Sequence, residues 1–185
     1  MINLTMKSLP NTIQVQGRDF PVYTDYRIWM RFCIEFQRWK NAGCRGTLDI
    51  SYLFTGELPA FCGIEDYAGI FDFAFPSCKV PNGSGDGEQT LYYEYDGDYI
   101  YAAFMQNYGI DLLETRLHWH KFSALLKGLS GTMLNEIMGY RAYTGSKQEK
   151  PEQRYRKLKY AWTPIPEETE EEREAEEEFN QYFEC

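Results

Sequence analysis

The apolar positions along this chain change period several times, and each change marks an element. Thr12 to Val15 and Arg18 to Val22 alternate around Gln16-Gly17. That pattern predicts a hairpin, because glycine readily takes the positive φ that a two-residue turn requires. Pro21 confines the second strand to an edge. Thr24 then caps a predicted helix over 25–41, in which Ile28, Trp29, Phe32, Phe36 and Trp39 follow helical spacing and Gly43 ends the pattern.

Between residues 47 and 75 the pattern is less regular. It predicts a short helix near 48–54, a break at Gly56 and Pro59, and a second helix over about 65–75 closed by Pro76. Residues 76–90, with Pro81, Gly83, Gly85 and Gly87, read as a mobile surface loop. Leu91 to Tyr95 reads as a brief strand or an extended lead-in, and Asp96 as the cap of a helix over 98–108 in which Tyr99, Ala103, Phe104 and Tyr108 share a broad face. A further helix spans 117–127, with Trp119, Phe122 and Leu126 at i, i+3 and i+7. Gly109 and Gly128 are the expected left-handed stops of these two helices. Residues 132–138 give one more helix, stopped by Gly139, and Pro151 suits the first turn of a basic helix ending near Tyr160. The predicted fold is mainly α: a compact helical domain over residues 1–162 with a small N-terminal β-hairpin, followed by an acidic C-terminal tail over 163–185.

Charge changes this picture only at the end of the chain. The net charge is -9 over 185 residues, and residues 164–185 hold all of it, with ten glutamates against the single Arg173. The body is balanced, which argues against a general nucleic-acid surface, since phosphate binding needs surplus Lys and Arg. Aromatic residues make up 17% of the chain, more than a core of this size demands. Rings in excess of the core suit a surface that contacts other proteins. No run approaches the ~20 apolar residues that cross a bilayer, so no membrane association is expected. The five cysteines are odd in number and form no C-x-x-C, and the expectation is a reduced, soluble protein.

The candidate chemistry is thin. Asn82, Ser84, Asp86 and Gly87 resemble the start of a calcium loop, yet its twelfth position is Tyr93 where a bidentate glutamate is needed. His118 and His120, two apart on a predicted helix, would point to different sides and share no metal. Gly83, Gly85 and Gly87 lack the lysine and Ser/Thr of a nucleotide loop. No nucleophile, grouped carboxylates or His-containing dyad is evident. No enzyme activity, metal or cofactor is therefore expected. Arg154, Arg156, Lys157 and Lys159, interleaved with Tyr155 and Tyr160, form a basic-aromatic patch. Its partner could be nucleic acid or the chain's own glutamate block downstream. The tail's Phe179, Tyr182 and Phe183 at i, i+3 and i+4 fit either a solvated tail or a docking peptide.

Several segments carry a family resemblance. They are Asp98 to Phe104, Tyr108 to Leu112, Leu117-His118-Trp119, Leu125 to Leu129 and Ile137 to Arg141, with Leu9-Pro10, Ile13, Val15, Gly17, Tyr23 to Arg27 and Trp29 before them and Arg154 to Lys159 after. Together they resemble the bacteriophage gene-product-15 family of tailed phages and prophages of Gram-positive bacteria, over most of residues 9–162 apart from 43–89. Genes of that family usually lie between those for the major tail protein and the tape-measure protein. The resemblance implies a tail assembly chaperone in the host bacterial cytoplasm, with the tape-measure protein as partner. It also leaves the major tail protein as a second partner and self-association open. The alternative it implies is a structural minor tail or tail-completion protein of the virion. The expected contact residues are Tyr99, Tyr101, Phe104, Tyr108, Trp119, Phe179, Tyr182 and Phe183.

Overall fold

The computed structural model describes residues 2, 4–76, 89–145 and 150–165, and the side chains of 150–152 fall outside that description. The surface loop and the acidic tail predicted from the sequence lie largely outside the described residues. Within them the protein is mainly α, with six helices and one two-stranded hairpin.

Strand β1 (Thr12–Val15) pairs antiparallel with β2 (Arg18–Pro21), placing Ile13 opposite Phe20. Gln16 and Gly17 both have positive φ, 50° and 76°, the backbone of a turn whose twist matches the flanking strands. Ile13, Val15 and Phe20 are buried on one face.

Helix α1 (Tyr26–Asn41) buries Tyr26, Trp29, Phe32 and Cys33. Its cap is Asp25, not Thr24: the Asp25 carboxylate accepts from Arg27 N at 3.0 Å. Thr24 is used differently, its carbonyl accepting from Trp119 N at 2.7 Å. The helix expected near 48–54 is a single 3₁₀ turn, Ser51–Leu53, because the Asp49 carboxylate takes Ser51 N at 2.9 Å and so holds the chain in a side-chain turn. A second 3₁₀ turn, Ile64–Tyr67, leads directly into α2 (Ala68–Ala74). Here Gly69 lets α2 rest on the hairpin, since a Cβ at that position would lie 2.5 Å from the Gln14 carbonyl oxygen.

Residues 91–95 make a turn rather than a strand, with Tyr95 N and Asp96 N both bonded to Tyr92 O. Helix α3 (Gly97–Tyr108) ends at Gly109 in the left-handed conformation, φ 64°. Helix α4 (Trp119–Gly128) does not end that way. Gly128 is its last helical residue, and its lack of a side chain admits the Tyr108 hydroxyl, which would sit 2.9 Å from a Cβ there. Helix α5 (Met133–Arg141) starts at a reciprocal cap between Thr132 and Asn135 and continues through Gly139. One glycine costs a helix only about 1 kcal/mol, and Arg141 beyond it is anchored by tertiary bonds described below. Helix α6 is Lys150–Trp162, with Pro151 in its first turn.

The elements meet in one core cluster running from Ile13 to Leu134. Stacked rings join α1, α3 and α4: Tyr26 on Phe122 at 4.7 Å and Phe122 on Phe104 at 5.1 Å. Trp29 stacks on Phe73 of α2 at 4.3 Å. The Tyr26 hydroxyl donates to Leu112 O at 2.6 Å, and Arg27 Nη2 reaches the carbonyls of Leu112, Leu113 and Thr115. The N-terminal third is thereby tied to the segment between α3 and α4. Among the described residues no helix is long and apolar enough to cross a membrane.

Candidate functional site

The inward stripe of α3 is Ile100, Ala103 and Phe104, which sit at the i, i+3 and i+4 spacing of a helix face. Phe104 is 0% exposed and Trp119 1%. Both were expected as partner contacts. Instead Phe104 stacks on Phe122, and Trp119 packs on the same ring at 5.7 Å while donating its indole N–H to Ala74 O at 2.8 Å. A partner reaches neither without opening the core.

The three tyrosines of this set that lie among the described residues, Tyr99, Tyr101 and Tyr108, are half-buried and also hold internal contacts. Tyr99 meets Trp162 edge-on at 5.8 Å. The Tyr108 hydroxyl donates to Leu125 O at 2.9 Å, and that of Tyr101 to Asp111 Oδ2 at 3.2 Å. Burial and then the Asp111 carboxylate raise the Tyr101 phenol above its ordinary range. The structure therefore brings Tyr99, Phe104, Tyr108 and Trp119 into the packing of α3, α4 and α6. Phe179, Tyr182 and Phe183 lie outside the described residues.

Other apolar groups face solvent in their place. Met105 lies one turn after Tyr101, away from the buried stripe. Leu113 is 78% exposed just beyond α3, and Tyr160 is 80% exposed on α6. The position of Met105 was legible from helical spacing. Leu113 sits in a run that reads as core, Ile110 to Leu113, and nothing in the pattern distinguishes it from buried Leu112.

What sequence reasoning missed is the centre that holds these helices together. Asp96 stands at the N-cap position of α3, as expected, but its side chain makes no capping hydrogen bond. Its buried carboxylate meets Arg141 in a two-pronged pair, Nη1 to Oδ2 at 2.6 Å and Nη2 to Oδ1 at 2.8 Å, and Oδ2 also accepts from Tyr92 N at 2.8 Å. Arg141 donates further to Thr90 O at 2.8 Å and to Trp162 O at 2.7 Å, with its guanidinium 5.0 Å from the Tyr92 ring centroid. One side chain thus fixes the start of α3, the end of α5, the end of α6 and the turn before α3.

The two histidines also sit differently from the expectation. His118 is the extended cap of α4, so helical spacing does not separate the rings, which lie 5.2 Å apart, centroid to centroid. Both are committed to structure. His118 Nδ1 accepts from His120 N at 3.0 Å, which leaves Nε2–H to donate to Pro10 O at 2.9 Å. His120 Nε2 lies 3.1 Å from Phe73 O, and its buried Nδ1 has no protein partner. Burial pushes His120 down to about 4. Among the described residues no three His, Cys, Asp or Glu side chains gather as a metal site. Burial likewise pushes the Cys33 thiol up to about 12, which keeps it protonated and unreactive.

Helix α6 divides into two faces. Tyr155 stacks on Tyr143 at 5.1 Å and Lys159 Nζ donates to Tyr143 O at 3.1 Å, binding one face to the segment after α5. On the other, Gln153, Arg154, Lys157, Leu158 and Ala161 line a shallow surface depression. Their spacing is that of a single helix face, basic at its edge and apolar at its centre.

A comparison with known families gives one match: residues 75–163 fit the family described as Bacteriophage Gp15 protein. The matched stretch runs from the end of α2 to the end of α6 and contains Thr90, Asp96, Arg141 and Trp162, so the ion-pair centre lies wholly inside it. The match does not reach the N-terminal segments at residues 9–29. No curated protein and no solved structure matches the chain.

Proposed function

We propose, from the match of residues 75–163 to the family described as Bacteriophage Gp15 protein, that this chain is a phage structural or assembly protein of that family and, within that class, a tail assembly chaperone. In this reading it binds the tape-measure protein and keeps that long helical chain from aggregating in the host cytoplasm until tail-tube subunits polymerise around it. The family match carries the reading, through the position of such genes beside those of the tape-measure and major tail proteins.

The surface supports it physically. A chaperone for long amphipathic helices works through several weak apolar contacts that can be released. Met105, Leu113, Tyr155 and Tyr160 are exposed apolar side chains on α3, beyond it and on α6. The sheath of α3, α5 and α6 around Arg141 keeps those groups on a rigid frame. The residues proposed to meet the partner are therefore Tyr101 and Met105 on α3, Leu113, and the outer positions of α6. The core residues Phe104 and Trp119 position that surface.

Mass spectrometry of purified phage particles tests the reading against its alternative. A chaperone is present in the lysate during assembly and absent from the finished particle. Recovery of the protein in particles at a fixed ratio to the tail-tube subunit would instead establish a structural minor tail or tail-completion protein.

A further inference from the structure

We infer that the outward face of α6, formed by Arg154, Lys157, Leu158 and Ala161, is the docking site of the chain's own acidic C-terminal segment, residues 167–184. The inference stands whatever the protein assembles, because it concerns one helix face and the chain attached to it.

Three observations converge on this occupant. The first is charge. The body balances its acids and bases, whereas residues 167–184 carry ten glutamates and one arginine. The α6 face sets Arg154 and Lys157 beside the half-buried Leu158 and exposed Ala161, a basic rim around an apolar strip. An acidic segment that also contains Ala175 and Phe179 complements both parts. A neutral or basic partner complements only the strip.

The second is reach. Helix α6 ends at Trp162, and Pro164-Ile165-Pro166 prevents it from continuing. Four residues from 163 to 166 span up to about 13 Å when extended, enough to cross one helix diameter of about 10 Å and turn back. Lys157 lies five residues before the helix end, about 7.5 Å along its axis. A segment that turns back there has Glu167 to Glu172 within reach of Lys157 and Arg154.

The third is tethering. A segment joined to its site through so few residues has an effective concentration in the millimolar range, so weak individual ion pairs suffice to hold it. Because those pairs are solvent-exposed, salt weakens them. A partner that uses the same face must displace the tail, and the strength of docking sets how readily it does so.

Zero-length carbodiimide coupling of the full-length protein tests this, since it joins a lysine amine only to a carboxylate already in contact. An equimolar mixture of unlabelled and 15N-labelled chains is coupled and the linked peptides are read by mass spectrometry. The expected result is Lys157 joined to glutamates of 167–178 within one chain, while the exposed Lys40 and Lys121 give little tail coupling. The yield falls at least about fivefold between 0.05 and 0.5 M salt. The full-length variants Arg154→Glu and Arg154→Gln keep both Lys157 and the tether, so they separate attraction from mere nearness. Both retain the far-ultraviolet dichroism of the parent, and coupling drops in the order parent, Gln, Glu. Coupling unchanged by salt and by Arg154→Glu would overturn the inference, as would equal tail coupling at all three lysines. Links that predominantly mix the two isotopes would overturn it too, assigning the face to a second copy.

Discussion

Replacing Arg141 with methionine isolates the feature on which the helical half of this protein depends. The substitution keeps an unbranched apolar stem and removes the charge, leaving Asp96, 1% exposed, as an uncompensated buried carboxylate. Removing one partner of a buried pair costs about 3–5 kcal/mol, because the remaining charge has lost both water and its counter-ion. The carbonyls of Thr90 and Trp162 lose their guanidinium donor as well, but solvent entering at the end of α6 offsets much of that. The expected total therefore stays near 3–5 kcal/mol, which corresponds to a fall in Tm of roughly 6–20 °C for a chain of this size. Urea unfolding followed by far-ultraviolet dichroism measures it as a lower midpoint at unchanged slope. The double variant Asp96→Asn/Arg141→Met removes the stranded charge, so it recovers a large part of the loss, and adding the Asp96→Asn single variant closes the double-mutant cycle that reports the coupling. Hydrogen exchange adds the location: α6 and the turn at 91–95 lose protection before α1 does. A single-variant cost under about 1 kcal/mol, the value of an exposed pair, would refute the argument that this centre is dry and structural.

Two further outcomes follow from the packing. Gly69→Ala raises helix propensity by about 1 kcal/mol, yet its Cβ would meet the Gln14 carbonyl oxygen at 2.5 Å, so the variant is destabilised by about 1–3 kcal/mol; a higher urea midpoint would show that the hairpin yields. The buried His120 is held neutral, its folded pKa near 4 against 6.5 when unfolded. The unfolded chain then binds the extra proton, and this stabilisation is complete above pH 6.5 and shrinks as pH falls toward 4. The loss is of order 1–3 kcal/mol; a His120→Phe variant whose midpoint falls by the same amount over that range would contradict it.

How much of this was legible in the sequence depends on whether a residue's role is local. The Gln16-Gly17 turn, the ring spacing of α1 and the left-handed Gly109 are decided by a few neighbouring residues, and the structure has them where the pattern predicts. Gly128 and Gly139 look identical to Gly109 in sequence. The first is glycine because Tyr108 needs the space, and the second is overrun because Arg141 beyond it is tied to Asp96. His118 left the helical lattice because its backbone bridges to Asp25. The partner surface was the least legible. An excess of aromatic residues predicted exposed rings, but the fold spends most of them on its own stacks, and Phe104 and Trp119 are interior. The exposed apolar groups it leaves, Leu113 and Tyr160 among them, are set by where the chain turns and where it ends.

The proposed chaperone activity is tested most directly by producing the tape-measure protein encoded by the same genome in bacteria, alone and together with this chain, and measuring its soluble fraction and co-purification. The account predicts an aggregated tape-measure protein when it is made alone. Made together with this chain, it becomes soluble and is recovered as a complex, and Leu113→Asp combined with Met105→Glu, two exposed changes, weakens that complex. A tape-measure protein that stays insoluble and unbound beside a folded, abundant partner would contradict it.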